Sequence, residues 1–217
     1  MSARSRMPLR KLSATQKAVK ATAGQLRSLI PTTCMASQEQ YDVQVSHSTD
    51  LSVSERELIW NIFEMNMKAL SEGSSLGWNP PKKRRELFHK NSRFILVQKP
   101  MEKDSPASSG EIVAYTMFRF IREQGENLVY CYELQVGKDA RRTGIGRLLM
   151  QYLGEVGRHW KMDKIMLTVF RSNEPALAAY GSMGFAVDPT SPGYGDEADW
   201  DEEDRTTDYW IMSREIS

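Results

Sequence analysis

A chain of 217 residues with 40% apolar and 26% charged residues can bury one substantial core with some residues left for a terminal arm. No apolar run approaches the ~20 residues of a membrane span, and no apolar h-region follows the basic first residues. A membrane protein and a secretory signal are therefore not expected, and the expected location is cytoplasmic and nuclear.

The net charge of +1 conceals opposite ends: residues 1–38 hold seven Lys or Arg and no acid, whereas residues 196–208 hold eight acids and one Arg. A basic arm over 1–38 suits a polyanion such as nucleic acid or the ribosome surface, and it equally suits a solvated face or a partner for the acids within the chain. The acidic patch suits a basic ligand. Within the arm, the Ala-rich stretch 15–29 reads as a helix. Tyr41, Val43 and Val45 then alternate with polar residues as a half-buried strand does. Ser54 followed by Glu57 reads as a capping box, and Leu58, Ile59, Ile62, Phe63, Met65 and Ala69 recur at helical spacing as far as Gly73. Pro80 and Pro81 open a short second helix through Leu87, ahead of a strand over 94–97. The Pro-Lys-Lys-Arg-Arg run at 81–85 has the composition of a nuclear import signal and also of a solvated helix face.

Residues 99–110, rich in Pro, Ser and Gly, read as a loop between strands. Strands over 112–121 and 128–136, separated by a six-residue connection containing Gly125, predict an antiparallel hairpin. From Ile145 the apolar residues Leu148, Leu149, Tyr152, Leu153, Val156 and Trp160 mark an amphipathic helix, and 164–170 is a continuous apolar strand. Strand, helix, strand implies a parallel crossover. A helix over 175–183 and strands over 185–188 and 207–213 complete an α+β chain with a mixed sheet, the acidic loop lying between the last two strands. Cys34 and Cys131 form at most one disulfide and read as free thiols in a reducing compartment. His47, His89 and His159 have no Cys or His neighbour at ligand spacing, so no metal is expected.

Chemistry concentrates in Leu134-Gln-Val-Gly-Lys-Asp-Ala-Arg-Arg-Thr-Gly-Ile-Gly-Arg147, a strand leading through a basic turn into a helix. The first N–H groups of a helix lack partners and its dipole favours anions, while Gly144 and Gly146 let a pyrophosphate approach the backbone. Arg141, Arg142 and Arg147 add positive charge. Neither a Walker-type Gly-Lys-Ser/Thr ending nor a Gly-x-Gly-x-x-Gly with an acid about 20 residues on is present, which weighs against nucleotide hydrolysis and dinucleotide binding.

Arg142-Thr-Gly-Ile-Gly146 resembles the Arg/Gln-x-x-Gly-x-Gly/Ala signature of the GNAT acetyltransferases, and Asn173 with Ala179-Tyr-Gly-Ser-Met-Gly-Phe185 resembles their downstream helix and its Tyr-x-x-x-Gly-Phe ending. Within that superfamily, Tyr130-Cys-Tyr-Glu-Leu-Gln135 and Met166-Leu-Thr-Val-Phe170 resemble the N-terminal acetyltransferase D branch, whose substrates are the Ser-Gly-Arg-Gly tails of two core histones. The likeness covers roughly 41–213. It departs at Ser71-Glu72, where the branch has a substrate-contacting tyrosine before the glutamate, and at Ile121, where the branch tends to carry an acid.

The resemblance implies a GNAT domain over 39–217 after the basic arm of 1–38, with a central sheet of about seven strands, flanking helices and a splayed parallel pair. It implies acetyl-CoA as cosubstrate, held by Leu134, Gln135, Val136, Arg141, Arg142, Thr143, Gly144, Ile145, Gly146, Arg147 and Asn173. Main-chain amides of Leu134 and Val136 would polarise the thioester carbonyl, a contribution of order 3 kcal/mol. The acceptor would be the N-terminal amine of a histone tail, lined by Tyr130, Tyr132, Thr168, Tyr209 and Glu123. An α-amine with pKa ~7.7 to 8.0 costs roughly 3.5 kcal/mol less to deprotonate than a lysine at ~10.4, so a modest base suffices. Glu133 is the candidate base, acting through a water, and Tyr180 the candidate acid for the departing thiolate; a strand glutamate also often just pairs with Arg or Lys, and Tyr180 reads equally as a packed helix aromatic. Two rivals are a GNAT enzyme acting on lysines or small amines, and a CoA-binding GNAT module without turnover.

Overall fold

The computed structural model describes residues 12–100 and 110–216. In chain order the helices and strands are α1 (Ala14–Ala18), α2 (Ala23–Arg27), β1 (Thr33–Ala36), β2 (Glu39–His47), α3 (Val53–Glu72), α4 (Pro80–Leu87), β3 (Arg93–Gln98), β4 (Ile112–Glu123), β5 (Glu126–Val136), α5 (Ile145–His159), β6 (Lys164–Phe170), α6 (Glu174–Ser182), β7 (Ala186–Val187), α7 (Glu202–Thr206) and β8 (Tyr209–Glu215). The strands form one eight-stranded sheet in the order β1-β2-β3-β4-β5-β6-β8-β7. Every pairing is antiparallel except β5 with β6, the crossover that carries α5.

Residues alternate across the sheet and fill two cores, one on each face. Phe94 and Leu96 of β3 meet Ile59 and Phe63 of α3 and Leu87 of α4, while Ile95 and Val97 join the core under Leu149, Leu153 and Val156 of α5. Burying one such side chain contributes about 1.5 to 3 kcal/mol, so each helix is fixed by its apolar stripe. Among the described residues no helix is long and apolar enough to cross a membrane.

Several local expectations change. The stretch 15–29 is two short helices, because Ser13 with Gln16 and Thr22 with Gln25 each close a capping box that restarts the helix. Ala18, Ala21 and Leu26 are buried in the α5-side core, and β1, which the sequence reading lacks, pairs with β2 and makes eight strands where about seven were expected. The boundary expected at 38/39 falls in the β1–β2 turn; residues 1–11 and 101–109, which include most of the expected 99–110 loop, lie outside the described residues.

The capping box of α3 is Ser52 with Glu55, not Ser54 with Glu57, since Glu57 is taken by a two-pronged contact with Arg84 of α4. The β4–β5 connection is two residues, not six. Gln124 and Gly125 both adopt positive φ (48° and 90°), the twist of a type I′ turn, so pairing continues to Glu123 and Glu126. Of the final strands, β7 is shortened to two residues from the expected 185–188, and β8 keeps the expected seven residues but is shifted by two from 207–213. The acidic segment between them is folded: its Trp200 ring and the Trp210 ring of β8 flank the Arg171 guanidinium, at 5.0 and 3.8 Å. Arg171 also donates to the carbonyls of Pro192, Asp204 and Tyr209.

Candidate active site

Parallel pairing of β5 with β6 ends at Cys131 and Leu167. Beyond that point β5 pairs only with β4 and β6 only with β8, so the two strands diverge and the β6-facing edge of β5 has no strand partner. A cleft of about 1320 Å³ opens along this divergence, between α3 and α4 on one side and α5 and α6 on the other. The Tyr130 hydroxyl and the Thr168 hydroxyl, 2.6 Å apart, bridge the two strands near its apex.

A β-bulge decides which side chains enter. Phe118 pairs with Cys131 and Met117 with Glu133, so Tyr132 is the extra residue. Cys131 packs with the α5-side core, Tyr132 with the α3-side core, and Glu133 reaches α4, so two successive residues face one layer. Bulges next to active sites re-aim a side chain in this way. The rings of Tyr130 and Tyr132 lie 4.9 Å apart on the cleft wall.

At the far end the turn before α5 is shaped for an anion. Gly144 stands at the N-cap with φ 93° and offers no side-chain cap, which leaves the first main-chain N–H groups of α5 uncapped by it. Arg142 also has positive φ, 67°, and its exposed guanidinium has no hydrogen bond among the described residues. Arg141 and Arg147 are committed: Arg141 donates to Asn66 Oδ1 at 2.5 Å and to the Val136 carbonyl at 3.4 Å, and Arg147 donates to the Ser182 carbonyl and hydroxyl.

From Arg141 a hydrogen-bond chain runs to the middle of the cleft. Asn66 Nδ2 donates to Gln135 Oε1 at 2.9 Å and to the Val136 carbonyl at 3.1 Å, and Gln135 Nε2 donates to Glu133 Oε2 at 2.8 Å. The other oxygen, Glu133 Oε1, lies 2.6 Å from Lys83 Nζ, which also meets Glu86 Oε1 at 2.5 Å and sits 5.1 Å from the centre of the Phe63 ring. Burial disfavours the Lys83 ammonium, but Glu133 and Glu86 outweigh it and raise its pKa above the ordinary lysine value. Nearby, burial pushes the Cys131 thiol up to about 12 and the Tyr180 hydroxyl well above the ordinary tyrosine range, Cys131 and Glu133 adding to the latter. Burial likewise raises Tyr130 to about 12, against the opposing bond with Thr168.

The family model of the acetyltransferase (GNAT) family matches residues 59–185, more than half of the chain and the whole of this cleft-forming region. The chain belongs to the GNAT acetyltransferase family. Solved GNAT structures share the fold. NAA60 of Arabidopsis thaliana, in complex with a bisubstrate analogue, is 13% identical with a TM-score of 0.54, over 81% of this chain and 98% of that one. The ribosomal-protein-S18-alanine N-acetyltransferase of Escherichia coli is 19% identical with a TM-score of 0.50, over 81% and 94%. A GNAT-family acetyltransferase of Staphylococcus aureus is 15% identical with a TM-score of 0.55, over 81% and 99%.

GNAT enzymes use acetyl-CoA, and the residues present fit it. The left-handed Gly144, whose added Cβ would meet nothing within 4 Å, and the uncommitted Arg142 suit its pyrophosphate, and the unpartnered edge of β5 suits its amide-rich pantetheine. Among the described residues no group of three or more His, Cys, Asp or Glu is placed to hold a metal ion.

Of the residues singled out in the sequence, the cleft is lined by Glu133, Tyr180, Tyr130, Tyr132, Thr168 and Glu123. Of those the resemblance assigns to acetyl-CoA, it is lined by Leu134, Gln135, Val136, Arg141, Arg142, Gly144, Ile145, Gly146, Arg147 and Asn173. Asn173 uses its carboxamide oxygen to cap α6, Ile145 is 1% exposed, and the Thr143 hydroxyl donates to the Ala140 carbonyl rather than entering the cleft. Tyr209 begins β8 opposite Phe170 and is not on the wall. Both departures from the family pattern, Ser71 and Ile121, do line it.

Sequence reasoning missed the contributions of α3 and α4. Asn66 and Lys83 bond the Glu133–Gln135 pair, and Phe63, Met67, Leu70 and Trp78 form the wall around them. One signal for Asn66 was present: it sits one turn from Phe63 and Leu70 on an otherwise apolar stripe. Lys83 had none, since its segment reads as surface charge.

Proposed function

We propose that this GNAT enzyme transfers the acetyl group of acetyl-CoA to the N-terminal α-amine of a protein, and that its acceptor is a basic histone-type tail beginning Ser-Gly-Arg-Gly. The observation that carries the reading is the placement of Tyr130-Cys-Tyr-Glu-Leu-Gln135, the segment resembling the N-terminal acetyltransferase D branch. It lies at the point where β5 and β6 part, its two tyrosines on the wall and its glutamate inside. Acids near the mouth support a basic acceptor. Glu123 lines the wall, and Asp208, next to the folded acidic segment, accepts from the backbone N–H and hydroxyl of Ser75 beside the cleft residue Leu76.

The chain's own groups then divide the work. Acetyl-CoA supplies the acetyl group as an activated thioester. Arg142 and the N-terminus of α5 hold its phosphates, and the open edge of β5 aligns its amides. Glu133, only 6% exposed, receives the proton that the acceptor nitrogen loses as the new C–N bond forms, and the Tyr180 hydroxyl supplies a proton to the departing sulfur. A neutral tyrosine is the form that can donate, and its raised pKa keeps it so.

The test is to incubate the protein with acetyl-CoA and a panel of peptides, half of them blocked at the N-terminus, and to read mass shifts. A 42-Da gain confined to peptides with a free N-terminal Ser-Gly-Arg-Gly is expected. Acetylation of lysines in blocked peptides would transfer the reading to the lysine class, and no turnover of any peptide would leave a CoA-binding module.

A further inference from the structure

The ion pair on the candidate base has no part in the reaction as described so far. A carboxylate at the inner end of a peptide cleft attracts the ammonium form of an amine, which predominates below the α-amine pKa of ~7.7 to 8.0 and has no lone pair for attack. An unneutralised Glu133 would therefore collect the unreactive form of the acceptor. Here its Oε1 is already held by Lys83 Nζ at 2.6 Å and its Oε2 by Gln135 at 2.8 Å. Lys83 is itself fixed by Glu86 on the same helix and by the Phe63 ring of α3.

We propose that Lys83 is a positioning residue for the acceptor amine: by neutralising Glu133 it keeps the substrate's ammonium from docking on the base and admits the amine in its neutral form. This rests on reading Glu133 as the base.

The surrounding charges agree. From α4, Lys82 lines the cleft beside Glu86 and Lys83. From β4, the Arg119 guanidinium lies 4.4 Å from the centre of the Tyr132 ring and donates to the Glu86 carbonyl, while Glu123 lies on the outer wall. Lys83 thus lies between the two carboxylates, Lys82 lines the same cleft and Arg119 bonds the Glu86 carbonyl, so an acceptor entering as an ammonium meets positive charge beside Glu133. α3 adds no charged side chain to this wall, only Phe63, Asn66, Met67, Leu70 and Ser71, and Asn66 is bonded to Arg141.

Tyr115 of β4, Tyr130 and Cys131 of β5 and Tyr180 of α6 all have pKa values raised by burial, above the range pH 6 to 9. Glu126, at the start of β5, is paired with Lys164 at 2.7 Å, and among the described residues no histidine lines the cleft. The proton equilibrium of the acceptor amine is then what Lys83 acts on in that range.

The experiment compares the full chain with Lys83→Gln, Lys83→Arg and Glu133→Gln, using a Ser-Gly-Arg-Gly peptide and saturating acetyl-CoA from pH 6 to 9.5. For Lys83→Gln, the rising limb of kcat is expected to move up by about one pH unit, with kcat at pH 7 lower by about tenfold and near wild type at pH 9.5. KM at pH 7 should fall. Lys83→Arg, which keeps the charge, should keep the wild-type limb. Binding gives a readout without turnover: at pH 6 the peptide should bind CoA-loaded Lys83→Gln about tenfold more tightly than wild type.

A Lys83→Gln protein whose kcat is lower by the same factor at every pH, with unchanged peptide affinity at pH 6, would overturn the inference and leave Lys83 a structural pair. If Glu133→Gln is slow while Lys83→Gln keeps its limb, the inference alone fails. If Glu133→Gln keeps the wild-type rate throughout, the reading of Glu133 as base fails with it. Should Lys83→Gln lower Tm enough to cloud the kinetics, Lys83→Met, which retains the Phe63 contact, is subject to the same pH 6 binding criterion.

Discussion

Replacing Arg142 tests the phosphate site with little disturbance of the fold. Its guanidinium is exposed and has no hydrogen bond among the described residues, unlike Arg141 on Asn66 and Arg147 on Ser182, so it is free to meet an anion at the N-terminus of α5. A hydrogen bond to a charged group contributes ~1.5 to 3 kcal/mol, and exposure to screening places this one near the lower end, about 1.5 kcal/mol. Arg142→Ala should therefore weaken acetyl-CoA binding about tenfold by isothermal titration calorimetry. The difference should shrink between 0.1 and 1 M salt as the Debye length falls from ~10 to ~3 Å. Backbone strain can be separated from charge, because residue 142 has φ 67°. Alanine keeps that strain, whereas Arg142→Gly should relieve about 1 kcal/mol of it and raise Tm while losing the same affinity. Stability and affinity would then move in opposite directions. Wild-type affinity in both variants would refute the assignment of this turn to the pyrophosphate.

Four further outcomes follow from the same structure. Gly144→Ala should cost about 1 to 2 kcal/mol of stability from its φ of 93° alone, since the added Cβ meets nothing within 4 Å; denaturant midpoints and acetyl-CoA titrations should both register it. Lys164→Met strands the fully buried Asp188, whose Oδ2 lies 2.9 Å from Lys164 Nζ, and should lower urea-unfolding stability by about 3 to 5 kcal/mol. Although burial opposes it, bonds from Ser213, Thr190 and Lys164 hold the Asp188 pKa below its unfolded value of ~3.9, so its stabilisation is present above that pH and lost as pH falls; Asp188→Asn should flatten the acid side of the stability curve from about pH 5 downward. Exchanging the exposed Glu197, Asp199 and Glu202 for their amides should lower kcat/KM for a lysine-rich Ser-Gly-Arg-Gly peptide about threefold at low salt and very little at 1 M.

What the sequence revealed of this molecule is what depends on local pattern. The period of α5, the continuous apolar run of β6 and the glycines of the turn between β5 and α5 are each set by neighbours within a few residues, and each lies where the pattern puts it. Elements held by distant contacts were less legible. β1 exists because β2 offers it an edge, and the arm helices lie on the sheet because Ala18 and Leu26 find a core there. The site divides along the same line. The wall proposed for the cofactor is a short contiguous stretch, and the sequence singled it out as a unit, whereas the wall proposed for the amine is assembled from α3, α4 and β5, segments about 70 residues apart in the case of Asn66 and Gln135. Glu133 shows why residue type alone was not enough. Simple alternation places it on the face opposite Tyr132, toward the α5 core with Cys131, where an ionised carboxylate would have no partner. The extra residue at Tyr132 turns Glu133 to the other face, where Lys83 and Gln135 hold both oxygens. The bulge, the lysine on a helix that looks like solvated surface, and the glutamate are thus one arrangement: removing the bulge would bury the charge without its partners, and removing the lysine would leave the carboxylate to attract the wrong protonation state of the acceptor.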